Sequence, residues 1–407
     1  MGHLRHALSD IEAGNGRSRC QSWTGTITWC AISYTCILLI FVRVCFPDCS
    51  LFGLGLLPLL VHGSTPDFFY AFSKSPRHFS KPRGIEIVAL VPFHEPSRTE
   101  ILACYLSRNL AFSGGFLDRV VFMPQTNHTE SLEWLSSMVD GTSSYSVSET
   151  SHLLYEMVDE NVNTLFVWID GDVVFLEDHT IATISRTKLE HPDSLIVSAN
   201  VINEAALEHL HSHPSIALPY LPELQPAQSV DSNSWRASEL SRWKGPTGFQ
   251  ARKGFEPPFT NHRWLPTDDE NFGYTPVGMS IYSDHGPGSD EWTAKAQQHY
   301  SFLHHLDLGD LRRYKFPLWT NPADPISTSF FCFMGGDAKH ILFAGALQNT
   351  VIRPSENGSR MTKDLIIDGK GVAVHYFSGH GSKGLEETDV LQRYRSYARE
   401  IVCPGTA

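Results

Sequence analysis

The sequence predicts an α/β domain with a mainly parallel sheet flanked by helices. Apolar, β-rich runs alternate with helical patterns between residues 85 and 199, which is typical of β-α units. The runs are apolar at nearly every position, as in strands that are covered on both faces. With 407 residues, of which 42% are hydrophobic, the chain can bury a full core. A separate uncharged run, Trp23 to Val42, is long enough to cross a bilayer as a transmembrane helix.

The N-terminal region is predicted to anchor the chain in a membrane. We interpret residues 1–22 as a cytosolic tail, 23–63 as a transmembrane signal anchor with an adjacent apolar segment, and 64–84 as a stem. No small-residue cleavage site follows a short apolar core, which favours an uncleaved anchor. We therefore expect a single-pass type II membrane protein of the Golgi or endoplasmic reticulum, with its globular domain in the lumen.

Three further observations bear on location and partners. The tripeptides that begin at Asn127 and Asn357 are N-glycosylation sequons, and both lie beyond the apolar segments. The globular part contains Cys104, Cys332 and Cys403, which permit at most one disulfide and have no zinc-binding spacing. The formal net charge of −12 disfavours nucleic acid as a partner.

Residues 85–403 are predicted to form the globular domain, and its elements follow in order. The predicted strands lie at residues 85–91, 119–123, 164–169 and 195–199, and the predicted helices at 97–110, 131–139, 151–159 and 178–190. Residues 211–295 have little periodicity and are interpreted as a long irregular insertion on the acceptor side. Regular patterns return at residues 294–306, 327–333 and 371–377.

The triplet Asp170-Gly171-Asp172 is the strongest functional signal in the sequence. It follows an apolar strand, and ligands bind at the carboxyl ends of parallel strands. Two carboxylates are suitable ligands for Mg²⁺ or Mn²⁺, which bridges the phosphates of a nucleotide. Gly171 is expected to let phosphate or ribose approach the backbone closely. The alternative is a two-residue hairpin, because Asp-Gly between apolar strands is a strong hairpin signal.

A second signal lies near the C-terminus. His375 ends a β-rich run, and a neutral imidazole can complete a metal shell that two carboxylates begin. The predicted metal ligands are therefore Asp170, Asp172 and His375. Lys383 follows in a glycine-containing loop and is suited to diphosphate oxygens. The alternative for His375 is an ordinary strand-terminal histidine. The residues assigned to a nucleotide sugar are Pro92, His94, Glu95, Arg98, Asp170, Gly171 and Lys383.

Acids elsewhere are candidates for the base that an acceptor hydroxyl needs. Asp337 follows two glycines at a predicted strand end, and Asp269 lies in an acidic cluster of the irregular insertion. The neighbouring acids Asp268, Glu270, Asp290 and Glu291 compete for this role. The insertion also contains tryptophans that either stack on sugar rings or anchor the core, namely Trp235, Trp243, Trp264 and Trp292.

Beyond these single residues, the chain resembles a known family from about residue 85 to Cys403. The resemblance is carried by Ile169-Asp170-Gly171-Asp172-Val173-Val174-Phe175 and by segments at 98–102, 114–118, 219–224, 262–266, 297–303 and 387–394. The family consists of largely uncharacterised, membrane-anchored fungal proteins that look like GT-A glycosyltransferases.

The resemblance implies a GT-A-like, Rossmann-type fold and a metal-dependent enzyme using Mn²⁺ or Mg²⁺. Such an enzyme moves a sugar from a nucleotide-sugar donor to a hydroxyl of a glycan, lipid, protein or secondary metabolite. The resemblance also implies that Asp172 is the principal metal ligand and Asp170 its partner, and it supports His375 as the third ligand. The relatives have Asp-Asp-Asp where this chain has Asp-Gly-Asp, so Gly171 is a departure.

Two other functional classes compete with glycosyl transfer. One is a non-catalytic relative that binds carbohydrate or nucleotide, which is consistent with the altered middle position. The other is a haloacid-dehalogenase-type phosphatase, because Asp170-Gly171-Asp172-Val173-Val174 resembles the nucleophile motif of that class. In that fold the motif follows the first strand, whereas here at least three β-α elements precede it.

Overall fold

A computed structural model of the chain describes the globular part. The described residues are 80–148, 162–226, 234–284, 286–322, 326–338, 341, 351–352, 363–376 and 382–404. The predicted tail, the apolar segments and most of the predicted stem lie outside these residues. None of the described helices is long and apolar enough to span a bilayer.

The described residues form thirteen strands. They are β1 Ile87–Phe93, β2 Arg119–Pro124, β3 Tyr145–Val147, β4 Leu165–Ile169, β5 Val173–Leu176, β6 Ser194–Ile202, β7 Tyr220–Pro222, β8 Trp264–Pro266, β9 Trp319–Thr320, β10 Ile326–Ser327, β11 Phe330–Met334, β12 Val351–Ile352 and β13 Asp364–His375.

The α-helices lie mainly between these strands. They are α1 Pro96–Asn109, α2 Thr129–Asp140, α3 Thr180–Glu190, α4 Glu208–His211, α5 Pro276–Tyr282, α6 Trp292–Asp307, α7 Ser382–Glu386 and α8 Val390–Tyr397. Shorter 3₁₀ turns connect several of them, and a π-helical turn, Ala398–Val402, continues α8.

The central sheet has nine strands in the order β3-β2-β1-β4-β11-β6-β13-β5, with β9 also paired to β13. Strands β3, β2, β1, β4, β6 and β13 all point in the same direction. Strand β11 is antiparallel to both of its neighbours, and β5 and β9 are antiparallel to β13. The predicted mixed α/β architecture with a mainly parallel sheet is confirmed.

The apolar runs form buried strands because both faces of the sheet are covered. Along β1, Ile87 and Ala89 contribute to one core cluster, whereas Val88 and Leu90 contribute to a second cluster. All seven residues of β1 are buried, as are four of the five in β4. Successive side chains of a strand point to opposite faces, so continuous apolarity is what a sheet between two layers requires.

The predicted elements agree with the described ones, with shifted ends. The strand predicted at 195–199 extends to Ile202, and the strand predicted at 371–377 begins earlier, at Asp364. The predicted strand at 327–333 is divided into β10 and β11. The helix predicted at 151–159 lies outside the described residues.

The irregular insertion is held against helix α6, which is almost entirely buried. The Gln297 amide donates to the Leu218 carbonyl at 2.8 Å and accepts from the Val277 N–H at 2.9 Å. These bonds satisfy a buried amide and fix both ends of the insertion to the core. Residues 211–295 also contain short elements, among them β7, β8 and α5.

A disulfide links helix α1 to the C-terminal segment. Cys104 in α1 is bonded to Cys403, which follows the π-helical turn, and Cys332 is buried with a free thiol. The pairing agrees with the prediction of at most one disulfide. It ties down a helix that begins beside the end of β1.

Candidate functional site

The carboxyl ends of the parallel strands meet at one edge of the sheet. Asp170 follows β4, Glu204 comes two residues after β6, and His375 is the last residue of β13. Strand β11 runs in the opposite direction, so Ser329, which precedes it, lies at the same edge. The residues after β1, beginning with His94, complete the edge.

The Asp170-Gly171-Asp172 segment is a fixed turn between two strands that do not pair with each other. Strand β4 pairs with β1 and β11, whereas β5 pairs with β13. The hairpin interpretation is therefore wrong. The Asp170 N–H donates to the Ser329 carbonyl at 2.8 Å, and the Asp172 N–H donates to Asp170 Oδ1 at 2.9 Å. The Tyr376 N–H donates to the Asp172 carbonyl at 2.8 Å.

The three predicted metal ligands lie together in the structure. One potential ligand atom from each of Asp170, Asp172 and His375 lies within 4.8 Å of the other two. Asp172 and His375 are buried, and the Asp170 side chain is 27% exposed. Two carboxylate oxygens and an imidazole nitrogen, open on one side, suit Mg²⁺ or Mn²⁺. Their role as ligands remains a prediction.

The pKa of His375 depends on two neighbouring carboxylates, those of Asp170 and Glu204. Burial alone would lower the pKa of His375, but the Glu204 and Asp170 carboxylates raise it to about 9. Burial would raise the pKa of Asp170, but its interaction with His375 holds that pKa below the usual value. The His375 Nε2 atom lies 3.8 Å from Asp170 Oδ1. A positive charge at this position is thus favoured by the surrounding acids.

Arg98 supplies a second positive charge from the first turn of α1. Its Nη1 lies 2.6 Å from Asp172 Oδ1, and its Nε lies 3.0 Å from Glu95 Oε1. The guanidinium also stacks over the Tyr376 ring, with its central carbon 5.0 Å from the ring centroid. Burial alone would lower the pKa of Arg98, but Asp172 raises it. The predicted donor-binding residues Glu95 and Arg98 are thus in contact with each other, and Arg98 also contacts Asp172 of the turn.

The packing of the protein itself leaves no room for a side chain at Gly171. A Cβ atom at this position would overlap the Pro92 carbonyl oxygen at the end of β1 and would lie 3.3 Å from the His94 ring. The space beside Gly171 is therefore filled by the chain itself. Pro92 and His94 thus lie against the turn, and a close approach of phosphate or ribose to the Gly171 backbone stays a prediction.

Asp337 is not at this edge. The N–H of Gly335 donates to the carbonyl of Thr164, which precedes β4, whereas Asp170 follows β4. Because β11 is antiparallel, its end lies at the opposite edge, about 17 Å away for a five-residue strand. Asp337 is buried and paired there with Lys188 at 3.0 Å and with Lys363. The assignment of Asp337 as a base near the metal is therefore corrected.

The remaining predicted residues have simpler placements. Asp269 is exposed in the first turn of a 3₁₀ helix, and Lys383 is exposed in α7, so their roles stay predictions. Asn127 is exposed after β2, and Asn357 lies outside the described residues. Three of the four tryptophans are buried core residues, namely Trp235, Trp264 and Trp292. Trp243 is partly exposed and donates to the Pro222 carbonyl at 2.9 Å.

Sequence reasoning missed Glu204, which is 5% exposed and lies 3.4 Å from His375 Nδ1 through its Oε1 atom. The predicted strand ended at Ala199, so an acid five residues later was not placed at a strand end. Extending that strand through Val201 and Ile202 would have identified Glu204.

No protein-family model and no curated protein matches this chain. Among solved structures, it is similar to glucosyl-3-phosphoglycerate synthase from Mycobacterium tuberculosis in complex with Mn²⁺ and UDP-glucose. That match has a TM-score of 0.24 and 11% identity, and it covers 31% of this chain and 46% of that one.

Two further solved structures are similar to parts of the chain. For GalNAc-T7 with UDP, GalNAc and Mn²⁺, the TM-score is 0.36, the identity is 8%, and the match covers 73% of this chain and 44% of that one. For TarS from S. aureus, the TM-score is 0.24 and the identity is 13%. That match covers 37% of this chain and 45% of that one. The chain thus spans less than half the length of these structures. These scores are too low to establish its activity.

The Gly171→Ala variant tests whether the turn needs a glycine. Because the added methyl group overlaps the Pro92 carbonyl, we expect a loss of about 1–3 kcal/mol in the free energy of unfolding. Equilibrium urea denaturation measures it. Gly336→Ala is the matched control, because Gly336 also precedes an aspartate and its added Cβ would lie 3.4 Å from Val162 Cγ1. Equal stability of the two variants would contradict the steric account.

Proposed function

We propose that this protein is a metal-dependent glycosyltransferase that moves a sugar from a nucleotide-sugar donor to an acceptor hydroxyl. The observation that carries the proposal is the convergence of Asp170, Asp172 and His375 at the carboxyl edge of the sheet. Ligands of α/β sheets bind at this edge. We also propose that the chain belongs to the fungal GT-A-like family that its sequence resembles.

In the proposed site, Asp170, Asp172 and His375 hold Mn²⁺ or Mg²⁺. The cation supplies positive charge that stabilises the diphosphate as it departs from the sugar. Asp172 is buried and its turn is fixed by main-chain hydrogen bonds, so its carboxylate is pre-oriented. Asp170 is the more exposed acid, with 27% of its side chain exposed, so the donor is proposed to enter from its side.

Arg98 is proposed to bind the donor diphosphate. Its guanidinium lies beside Asp172 and offers a planar, bidentate donor of the kind that recognises phosphate. Arg98 now pairs with Asp172, and a cation held by that acid would weaken this ion pair, which would leave the guanidinium available to the diphosphate. Lys383 is proposed as a second phosphate contact, and His94 and Glu95 as donor contacts at the end of β1.

An inverting reaction also needs a base for the acceptor hydroxyl. Asp337 is excluded from this role by its position at the opposite edge. Asp269 is retained as the proposed base, because it is exposed in the insertion that is expected to face the acceptor. The acceptor class is proposed only as a hydroxyl of a glycan, lipid, protein or secondary metabolite.

We propose that the domain lies in the lumen of the Golgi or endoplasmic reticulum, anchored by Trp23 to Val42. The Cys104–Cys403 disulfide supports an oxidising compartment. The sequon asparagine Asn127 is exposed, as glycosylation requires. The uncharged length of the N-terminal run supports the membrane anchor.

The Asp172→Ala variant tests the metal-dependent reaction. Hydrolysis and transfer are measured with a panel of UDP-, GDP- and dolichyl-phosphate sugars, with and without Mn²⁺. We expect Asp172→Ala to lower the rate about 100-fold or more, since a catalytic cation contributes several kcal/mol. Asp364→Asn is the control, because this exposed acid begins β13 at the other edge of the sheet, and we expect it to retain activity.

An activity that is indifferent to both Mn²⁺ and Asp172→Ala would contradict the proposal. Binding of a nucleoside diphosphate without transfer to any acceptor would favour a non-catalytic relative. Hydrolysis of simple phosphate esters would favour the phosphatase alternative.

The Arg98→Ala variant tests the proposed diphosphate contact. We expect UDP to bind about 10- to 100-fold more weakly with Mn²⁺ present, since a hydrogen bond to a charged group is worth roughly 1.5–3 kcal/mol. Isothermal titration calorimetry measures the affinity. Arg98→Lys should recover only part of it, because lysine lacks the planar fork. Arg108→Ala is the control on the same helix, where Arg108 pairs with Asp178 at 3.0 Å. Unchanged or tighter binding by Arg98→Ala would exclude the contact.

A further inference from the structure

His375 contacts an acid on each side of its ring. Its Nε2 atom lies 3.8 Å from Asp170 Oδ1, and its Nδ1 atom lies 3.4 Å from Glu204 Oε1. The two ring nitrogens point in divergent directions, so Glu204 lies on the side of the ring away from Asp170. The ligand atoms that converge belong to Asp170, Asp172 and His375, and Glu204 is not among them. Glu204 therefore contacts the histidine without joining the cluster.

Glu204 is itself held in place by Ser329. The Ser329 hydroxyl donates to Glu204 Oε1 at 2.5 Å, and the Ser329 carbonyl accepts the N–H of Asp170 at 2.8 Å. One residue at the start of β11 thus fixes Glu204 on one strand end and Asp170 on another. Because Glu204 is only 5% exposed, its carboxylate depends on these partners rather than on water.

The backbone before Glu204 is in an unusual conformation. Asn203 has a φ of 69°, in the left-handed region, which asparagine tolerates better than most residues. Its side-chain amide lies 2.7 Å from His299 Nε2, which in turn lies 3.2 Å from the Tyr376 carbonyl. A conformation of this kind persists where its surroundings enforce it, and such residues cluster at functional sites. Here the turn at Asn203 directs the chain so that Glu204 reaches His375.

We propose that Glu204 is a positioning residue that orients His375 for metal binding, an inference that rests on the proposed function. A cation at Nε2 would take the place of the proton there, and Glu204 would accept the remaining Nδ1 proton, so that the Nε2 lone pair is directed towards Asp170 and Asp172. A metal-binding histidine commonly donates its other ring N–H to a carboxylate, which fixes both the tautomer and the ring orientation. Glu204 is buried against the histidine ring, so its proposed effect is exerted through His375.

The test separates the reach of Glu204 from its charge. Glu204→Gln keeps a side-chain oxygen within reach of Nδ1 but removes the charge, whereas Glu204→Asp keeps the charge and withdraws the oxygen by one methylene. Mn²⁺ affinity of the full-length chain is measured by titration calorimetry. Coordination of the His375 nitrogen is measured by electron spin-echo modulation on bound Mn²⁺. Glu177→Asp is the matched control, because Glu177 is equally buried and pairs with Lys315 at 2.6 Å.

We expect Glu204→Asp to bind Mn²⁺ about 10- to 100-fold more weakly and to lose the nitrogen modulation. Glu204→Gln should retain the modulation and most of the affinity, and Glu177→Asp should match the wild type. The proposal is overturned if Glu204→Asp binds like the wild type, if Glu204→Gln loses more affinity than Glu204→Asp, or if Glu177→Asp loses as much.

The same measurement separates this proposal from the proposed function. A wild-type chain without Mn²⁺ binding or nitrogen modulation would overturn the metal site and the role of Glu204 together. A wild-type chain that shows both, with Glu204 variants that are unchanged, would overturn only the role of Glu204.

Discussion

Buried carboxylates at one edge of the sheet have to be matched by positive charge, and this requirement organises the whole candidate site. Asp172 is 1% exposed and Glu204 is 5% exposed. An uncompensated charge at such depth costs several kcal/mol. Arg98 from α1 and His375 from β13 provide the compensation. The Cys104–Cys403 disulfide ties the helix that carries Arg98 to the C-terminal segment.

Much of the architecture is predictable from the sequence because buried parallel strands have a distinctive composition. The run before Asp170 is wholly apolar, which predicts a buried strand. The position of Asp170 at the end of that strand follows from the same pattern. The cluster of Asp170, Asp172 and His375 was found in the same way, as polar residues at the ends of apolar runs. Gly171 belongs to the same predicted motif, and the structure gives a steric reason for it, the nearby Pro92 carbonyl.

Strand direction and exact strand ends are what the sequence does not provide. Asp337 also follows an apolar run, but β11 is antiparallel to its neighbours, so the same pattern puts this acid at the wrong edge. Composition is the same for a buried strand in either direction, and only the pairing decides. Glu204 was missed because β6 continues through Asn200, a polar residue whose amide is satisfied inside the core by the Tyr314 carbonyl at 2.9 Å.

Asp170, Asp172 and His375 are proposed to hold one divalent cation. Anomalous diffraction at the manganese edge, from crystals grown with Mn²⁺ and UDP, tests it most directly. We expect one strong peak in contact with Asp172 and His375, next to Asp170. Asp172 would then be shared between the cation and Arg98 or released from the guanidinium. A map with no peak at this position, and with the Arg98–Asp172 ion pair intact while UDP is bound, would exclude this cation site.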